Sequence, residues 1–216
     1  MANRNDATMT NRNDAPFYIV FCGVNGAGKT TLFHSSLWKC EGVPKSIERI
    51  NPDEILRENG GDWQNINQQT QAGKIALERI NELFAKRKSF NQETTLTGHL
   101  ALQNIKRAKQ LGYRVFLYYV GVNSVETALN RIAHRVSLGG HSIDEQIVKR
   151  RFHSSLINFS YALDYCEQAI VFDNTQEFVQ LAMWENSTLV WWGNPNVHGP
   201  WLVNAMQSDE WRANCN

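Results

Sequence analysis

The sequence lacks an apolar stretch long enough to cross a membrane, and its N-terminus lacks the apolar segment of a signal peptide. It has only four cysteines in 216 residues, and no two of them form a Cys-x-x-Cys pair. A disulfide framework and a zinc site are therefore not expected, and the thiols are interpreted as reduced. These absences predict a cytoplasmic location and no membrane partner.

An excess of one charge sign is also missing. Lysine and arginine total 22, aspartate and glutamate total 21, and the formal net charge is +1. Because domains that bind nucleic acids usually carry a strong basic excess, no nucleic-acid partner is predicted. The expected ligand is a small molecule held by local charge.

The chain divides into three predicted regions. Residues 1–15 are nearly devoid of hydrophobic side chains and contain Asn-Arg-Asn-Asp-Ala twice, so they are predicted to be disordered. The repeat is either a duplicated start or, less favoured, a binding arm. Residues 16–175 are predicted to form one α/β domain, and residues 176–216 a C-terminal extension packed on it.

Apolar strands alternate with helical patterns from residue 16 onward. Strands are predicted at 17–22, 47–50, 89–93, 114–120 and 169–172, and helices at 31–38, 66–86, 100–111, 125–136 and 143–165. Nearly continuous apolar strands separated by helices predict a three-layer sandwich with a mainly parallel five-stranded sheet. Ligands bind such sheets at the carboxyl ends of the strands.

The first strand is followed by Gly23-Val24-Asn25-Gly26-Ala27-Gly28-Lys29-Thr30, which matches the phosphate-binding P-loop G-x-x-x-x-G-K-[ST]. The strand before it and the helical pattern after it argue against a fortuitous match. Lys29 is predicted to neutralise the β- and γ-phosphates of ATP or GTP, and Thr30 to bind Mg²⁺. The predicted nucleotide-binding residues are Gly23, Asn25, Gly26, Ala27, Gly28, Lys29, Thr30 and Thr31.

Acidic residues follow the next two strands. Asp53, in Asn51-Pro52-Asp53-Glu54, is interpreted as the base that takes a proton from a substrate hydroxyl, and the alternative is that it caps the following helix. Glu93 begins Glu93-Thr94-Thr95, which is interpreted as a substrate-binding segment, with Thr95 donating or accepting a hydrogen bond. Glu93 could bind a hydroxyl, hold Mg²⁺ through water or act as the base, and ordinary loop chemistry is the alternative. The acid that ends a Walker B strand and activates water is interpreted as missing.

A basic segment surrounds Gly139-Gly140 and is predicted to form a helical lid. Arg131 and Arg135 lie four residues apart on one helix face and are assigned to catalysis. Their guanidinium groups would neutralise charge on a transferred phosphoryl group. The residues His141, Arg150 and Arg151 are assigned to substrate binding. The alternative is a solvated basic surface, and the sequence does not select which arginine points inward.

The C-terminal region is rich in tryptophan. Segments 178–183 and 188–192 are predicted to form a hairpin, and five of the seven tryptophans lie beyond residue 183. This tail either folds over the edge of the sheet, which is favoured, or presents an aromatic surface to a partner. Asp173, after the fifth strand, is interpreted as a turn residue of a peripheral strand.

Taken in order, these motifs resemble the zeta toxins of bacterial toxin–antitoxin systems. The resemblance covers about residues 16–173 and rests on Gly23–Thr31, Asn51–Glu54, Glu93–Thr95, Arg131–Arg135, Gly139–His141 and Arg150–Arg151. It implies a P-loop kinase that uses ATP and Mg²⁺ to phosphorylate a sugar hydroxyl of UDP-N-acetylglucosamine. It also implies a small helical antitoxin as the protein partner.

The resemblance carries residue roles with it. Lys29 and Thr30 would bind phosphate and metal, Asp53 would be the catalytic base, Glu93 and Thr95 would hold the sugar nucleotide, and Arg135 would support transfer. The remaining alternatives are another UDP-sugar, a different hydroxylated metabolite or antibiotic as the acceptor, and a nucleotide-dependent regulatory ATPase.

Overall fold

The computed structural model describes residues 14–38, 42–43, 46–194 and 198–214. Most of the segment predicted to be disordered, residues 1–13, lies outside these ranges, as do Cys40 and Cys215. Among the described residues, none of the helices is both long enough and apolar enough to cross a membrane. Cys22 and Cys166 are buried free thiols.

A seven-stranded sheet forms the centre of the molecule. Its strands lie in the order β2-β3-β1-β4-β5-β6-β7. The strands are β1 (Phe17–Cys22), β2 (Glu48–Ile50), β3 (Phe90–Thr94), β4 (Arg114–Gly121), β5 (Gln168–Asp173), β6 (Val179–Glu185) and β7 (Thr188–Trp192). The first five are parallel, whereas β6 pairs antiparallel with β5, and β7 antiparallel with β6. The predicted mainly parallel α/β fold is confirmed.

The predicted number of five strands is wrong. The tryptophan-rich hairpin was expected to lie outside the sheet, but its first strand forms hydrogen bonds with the free edge of β5. As a result β5 lies inside the sheet and is not peripheral. Asp173 is not a turn residue either, because it ends β5, is only 4 % exposed and accepts a hydrogen bond from Trp201 Nε1 at 2.8 Å.

The helices connect the strands and close with two short C-terminal helices. They are α1 (Lys29–His34), α2 (Pro52–Glu58), α3 (Ile66–Ala85), α4 (His99–Gln110), α5 (Val125–Ser137), α6 (Glu145–Ala162), α7 (Pro200–Met206) and α8 (Asp209–Asn214). Helix α1 ends four residues earlier than predicted, because Ser35 adopts an extended conformation and its N–H bonds back to the carbonyls of Thr31 and Leu32. The predicted helix 143–165 starts at Glu145 and passes into a 3₁₀ turn at Leu163–Tyr165.

Alternating residues of β1 build two separate cores, because successive side chains of a strand point to opposite faces. Tyr18, Val20 and Cys22 belong to a core that includes residues of α3, α4 and the tail. Phe17, Ile19 and Phe21 belong to the other core, with residues of α1 and α5. All six side chains of β1 are buried, which explains its uninterrupted apolar sequence.

The tryptophans of the tail divide into two groups. Trp184 and Trp211 are buried, and Trp201 packs against the same core. Trp191 and Trp192, on the edge strand β7, are 41 % and 36 % exposed. The first group therefore packs on the sheet, as one of the two predicted alternatives has it. The second group forms an exposed aromatic surface, as the other alternative has it.

Candidate active site

The P-loop joins β1 to α1 at the carboxyl edge of the sheet. Gly23 has φ +133°, and a Cβ atom there would lie 2.1 Å from the carbonyl oxygen of Val120. Gly28 occupies the N-cap position of α1 with φ +103° and supplies no side-chain acceptor. The N–H groups of the first turn of α1 therefore have no side-chain cap, which suits a loop that surrounds an anion.

Lys29 lies under this loop. Its side chain is only 7 % exposed, and its Nζ donates a hydrogen bond to the carbonyl oxygen of Val24 at 3.2 Å. Burial lowers the pKa of Lys29, and the negative charges of Glu93 and Asp53 oppose that shift. The ammonium group is thus held in place beside two carboxylates, where a phosphate chain would meet it.

Thr30 contacts Glu93 across the cleft. The Thr30 hydroxyl donates to the Glu93 carboxylate at 2.9 Å, and the same carboxylate accepts from Arg49 at 2.5 Å and from Asn51 Nδ2 at 3.3 Å. Arg49 also pairs with Glu54 at 2.9 Å. Glu93 lies on β3, directly beside β1, as the predicted strand 89–93 implied.

These oxygens fit a magnesium ion. The Thr30 hydroxyl and the Glu93 carboxylate are hard oxygen donors of the kind that Mg²⁺ prefers, and they lie next to the phosphate-binding loop. Among the described residues there is no group of three or more His, Cys, Asp or Glu side chains that could hold a metal by itself. The ion would therefore depend on phosphate oxygens for much of its coordination.

Asp53 stands in the first turn of α2. The cap of this helix is Asn51, whose side-chain oxygen accepts from the Asp53 N–H at 3.0 Å, so Asp53 does not serve as the cap. The Asp53 side chain is exposed and makes no hydrogen bond or ion pair with the described residues. Its charge nevertheless acts on the pKa values of Lys29, Arg135 and Arg151.

Two cavities meet at Asp53. The first, of about 320 Å³, is lined by Asn25, Pro52, Asp53, Leu56, Trp63, Ile66, Gln69, Ala72, His141, Ser142, Ile143, Asp144, Ile147 and Arg151. The second, of about 400 Å³, is lined by Thr30, Asn51, Asp53, Glu54, Arg57, Trp63, Arg135, Leu138, Gly139, Gly140 and His141. Asp53, Trp63 and His141 line both cavities, so they mark the junction between them.

The lid, residues 131–151 around Gly139-Gly140, supplies two arginines to the region of the two cavities. Arg135 Nη2 donates to the carbonyl oxygen of His141 at 2.9 Å, and burial lowers the pKa of Arg135. Arg151 Nη1 donates to the Asn25 side chain in the P-loop at 2.8 Å, and burial also lowers its pKa. Both groups remain cationic because guanidinium pKa values are so high.

Other residues assigned from sequence lie elsewhere. Arg131 Nη2 donates to the carbonyl oxygen of Thr175 at 3.1 Å, on the side of the loop that follows β5. Arg150 is exposed and lines neither cavity. The Thr94 hydroxyl accepts from the N–H of Leu96, and the Thr95 hydroxyl contacts Thr97 at 2.9 Å. Thr31 is exposed in the first turn of α1.

Sequence reasoning missed several residues of the site. Arg49 and Asn51 hold Glu93, Trp63 stacks on His141, and the Asn174 side chain donates to the Ala27 carbonyl in the P-loop at 2.7 Å. Trp63 had a usable signal, since it is a single aromatic residue in an otherwise polar loop. Arg49 and Asn174 had none, because their contacts join residues far apart in the chain.

Fold and site together define a P-loop nucleotide-binding protein with a kinase-like parallel sheet. The zeta toxin family model matches residues 2–191, and the chain belongs to the zeta toxin family. The resemblance found in the sequence is thereby confirmed. Family membership on this fold supports a phosphotransferase activity.

The chain is also similar to a curated protein and to solved structures. An uncharacterized protein of Haemophilus influenzae is 36% identical over 147 residues, which are 65% of this chain and 94% of that protein. A chain of the AvrRxo1-ORF1:AvrRxo1-ORF2 complex with sulphate ions has a TM-score of 0.64 at 17% identity, covering 90% of this chain. This chain spans 65% of that longer one.

A second neighbour comes from the PezAT chromosomal toxin–antitoxin system of Streptococcus pneumoniae. It has a TM-score of 0.55 at 20% identity and covers 77% of this chain and 70% of its own. At these identities, both likenesses show a shared fold.

Proposed function

We propose that this protein is a kinase that transfers the γ-phosphoryl group of ATP to a sugar hydroxyl of UDP-N-acetylglucosamine or a related UDP-sugar. The observation that carries the proposal is the position of Asp53. This unpaired carboxylate lies at the junction of two cavities, near the buried ammonium group of Lys29. Such a group is suited to accept a proton from an attacking hydroxyl.

The P-loop side would bind the nucleotide. Its N–H groups and Lys29 would hold the phosphates, and Thr30 with Glu93 would hold Mg²⁺. When bound, the metal supplies positive charge to the phosphate oxygens. A chain of the AvrRxo1 complex solved with ATP has the same fold, with a TM-score of 0.63, which supports ATP as the donor.

The lid side would support transfer. Asp53 accepts the hydroxyl proton as the acceptor oxygen attacks the γ-phosphorus in line with the departing ADP oxygen. Arg135 and Arg151 offer donors to the phosphoryl oxygens, where negative charge must be stabilised. Their fixed contacts with His141 and Asn25 orient them before substrate arrives.

The acceptor would occupy the cavity between α2, α3 and the lid. Its lining mixes apolar side chains such as Leu56 and Ile147 with polar ones such as Gln69 and Ser142. A sugar nucleotide offers both hydroxyl groups and a flat ring, which suits a mixed surface. Residues of the lid are proposed to contact the sugar. The contact of Glu93, Thr94 and Thr95 with the sugar, which the family resemblance implies, stays a prediction, because none of the three lines this cavity.

The proposed biological role is that of the toxin in a toxin–antitoxin pair. The family supports this role, and one structural neighbour comes from a toxin–antitoxin system. The proposed partner is a small helical antitoxin. Because the reaction consumes ATP and a UDP-sugar, a cytoplasmic location is part of the proposal.

The test is a mass-spectrometric assay with ATP or GTP, Mg²⁺ and a panel of UDP-sugars. A product heavier by one phosphate is expected from one of the sugars, with the rate reduced by about 10²- to 10⁴-fold in Asp53→Asn. Glu58→Gln, an exposed carboxylate on the same helix, is the matched control and should keep the wild-type rate. ATP binding without a phosphorylated UDP-sugar would reject this acceptor class.

A further inference from the structure

Two aromatic rings connect the lid to the body of the protein. The indole of Trp63 and the imidazole of His141 have centroids 4.0 Å apart and planes inclined by 12°. Trp63 belongs to the loop between α2 and α3 and packs against the core beneath α3. His141 follows the two glycines of the lid. The stack therefore fixes the lid loop to a side chain that is itself anchored.

The same histidine holds Arg135. Arg135 Nη2 lies 2.9 Å from the His141 carbonyl oxygen and 3.2 Å from the ring nitrogen Nε2. The loop also lies directly on the arginine, because a Cβ atom on Gly140 would come within 2.6 Å of Arg135 Cγ. Residues 140–141 thus enclose the Arg135 side chain on two sides.

Arg135 keeps donors for another group. Its Nε is buried and has no acceptor among the described residues. Thr30 and Asp53 line the same cavity, and the negative charges of Asp53 and Glu93 act on the guanidinium. The arginine is therefore oriented through Nη2, which leaves Nη1, a donor without a hydrogen bond to the described residues, for a ligand in that cavity.

The contact between Arg135 and the His141 ring requires a neutral imidazole. A guanidinium nitrogen only donates, so Nε2 must be the acceptor, which is impossible once the ring is protonated. Burial and the charge of Arg135 lower the pKa of His141, and Asp53 opposes this shift. The other charged groups around the two cavities are Glu54 and Arg57 from α2, Asp144 at the N-cap of α6, and Arg151 within α6.

We propose that His141 is a positioning residue for Arg135 and that Trp63 holds His141 in place by ring stacking. Stacking of the lid loop on Trp63 then also orients the guanidinium group of Arg135. The catalytic consequence rests on the proposed kinase function, whereas the contact itself does not depend on which acceptor is phosphorylated. This role differs from the direct substrate contact that the sequence suggested for His141.

The kinetic test compares His141→Ala and His141→Gln. His141→Ala keeps the backbone carbonyl that accepts from Arg135 but removes the ring acceptor and the stack on Trp63. Their loss should lower kcat about 10- to 100-fold, because misplacing a catalytic group by about 1 Å has an effect of that size. The acceptor KM should stay near the wild-type value. The Gln side-chain oxygen can accept from Arg135, so His141→Gln should recover most of kcat. A raised acceptor KM with unchanged kcat, or a Gln variant no better than Ala, would overturn the proposal.

The dependence of kcat on pH gives a second readout. Protonation of His141 removes the ring nitrogen as an acceptor and adds a positive charge beside Arg135, so the wild-type rate should fall as the pH drops through the lowered pKa of this ring. His141→Gln does not titrate and should lack that part of the profile. His153→Gln, an exposed histidine on α6, is the control and should keep the wild-type profile. Identical profiles for wild type and His141→Gln would contradict the proposal.

A titration of the histidine ring signals by NMR tests the contact without any turnover. The His141 signal is assigned by its loss in His141→Gln, and its pKa should lie below the ordinary value of 6.5. It should move toward that value in Arg135→Gln. An unchanged titration in Arg135→Gln would overturn the contact. If the His141 titration behaves as expected but the kinase assay yields no phosphorylated UDP-sugar, the proposed acceptor is rejected and the positioning role of His141 stands.

Discussion

The two walls of the cleft are built from different kinds of contact. The nucleotide wall consists of the P-loop and the loop that follows β5, and several of its contacts end on backbone atoms, as when the Asn174 side chain donates to the carbonyl of Ala27. The acceptor wall consists of α2, the loop before α3 and the lid. Contacts between side chains hold it together, such as Trp63 on His141.

This difference predicts that the sequence of the nucleotide wall must stay constant, whereas the sequence of the acceptor wall can change. A wall made of backbone contacts tolerates few sequences, because a Cβ atom on Gly23 would collide with Val120. A wall made of side-chain contacts can accept a new ligand when one residue is exchanged. Relatives with the same P-loop could therefore phosphorylate different acceptors, and variants that affect one wall alone would test the distinction.

Glu93→Gln should have the largest effect of the three variants below, because Glu93 lies where the walls meet. The amide weakens both the contact with Thr30 and the proposed metal site, so we expect the Mg²⁺ concentration for half-maximal rate to rise about 10- to 100-fold. Rates measured against Mg²⁺ concentration provide the check.

Glu54→Gln is the matched control for that variant. Glu54 pairs with the same Arg49 but does not contact Thr30. It should reduce stability without changing the Mg²⁺ requirement. Equal Mg²⁺ curves for Glu93→Gln and wild type would show that Glu93 only anchors Arg49.

Gly121→Ala should destabilise the nucleotide wall. A Cβ atom at Gly121 would lie 2.2 Å from the Trp201 ring, which packs on the end of β4. Overfilling of this kind lowers the free energy of unfolding by about 1–3 kcal/mol, measurable by urea denaturation. Gly73→Ala in helix α3 is the control, because nothing lies within 4 Å of its added methyl group. That change should instead raise stability by about 0.5–1 kcal/mol.

The two walls also differ in how far they could be predicted from the sequence. The P-loop of the nucleotide wall is encoded in eight consecutive residues, so this loop, its strand and its helix were predictable from local patterns, whereas the loop that follows β5 was not. The parallel order of the sheet followed from continuous apolar strands such as β1. The hairpin was predicted as a hairpin but not as part of the sheet, because no local signal shows which edge a strand pairs with.

The acceptor wall was predicted only in part. Asp53, Glu93 and Arg135 carried recognisable motifs, and the structure brings them to one place. The residues that hold these side chains in place carried no such motif, since Arg49 and its partner Glu93 are 44 residues apart in the chain. Asn51 illustrates the limit, because an Asn-Pro-Asp sequence allowed either polar residue to cap the helix, and the structure selects Asn51.

Trp201→Phe should have a smaller effect on function than Glu93→Gln and makes the sharpest use of the comparison. The change keeps an aromatic ring but removes the Nε1–H that donates to Asp173 Oδ1. Asp173 also accepts from the N–H and hydroxyl of Thr175, so it organises the loop that carries Asn174 to the P-loop. Loss of one hydrogen bond to a buried carboxylate should reduce the free energy of unfolding by about 1.5–3 kcal/mol when denatured in urea.

The functional effect of Trp201→Phe should be confined to one wall. Because the Asp173 loop reaches the P-loop and does not line the cavities at Asp53, we expect the Kd for ATP to rise by about two- to fivefold, while the acceptor KM stays unchanged. Calorimetry with ATP and kinetics with the acceptor separate the two. Trp192→Phe on the exposed edge strand controls for loss of an indole and should alter neither. A changed acceptor KM with an unchanged Kd for ATP would mean that the tail supports the opposite wall, and the division into a backbone-held and a side-chain-held wall would then be wrong.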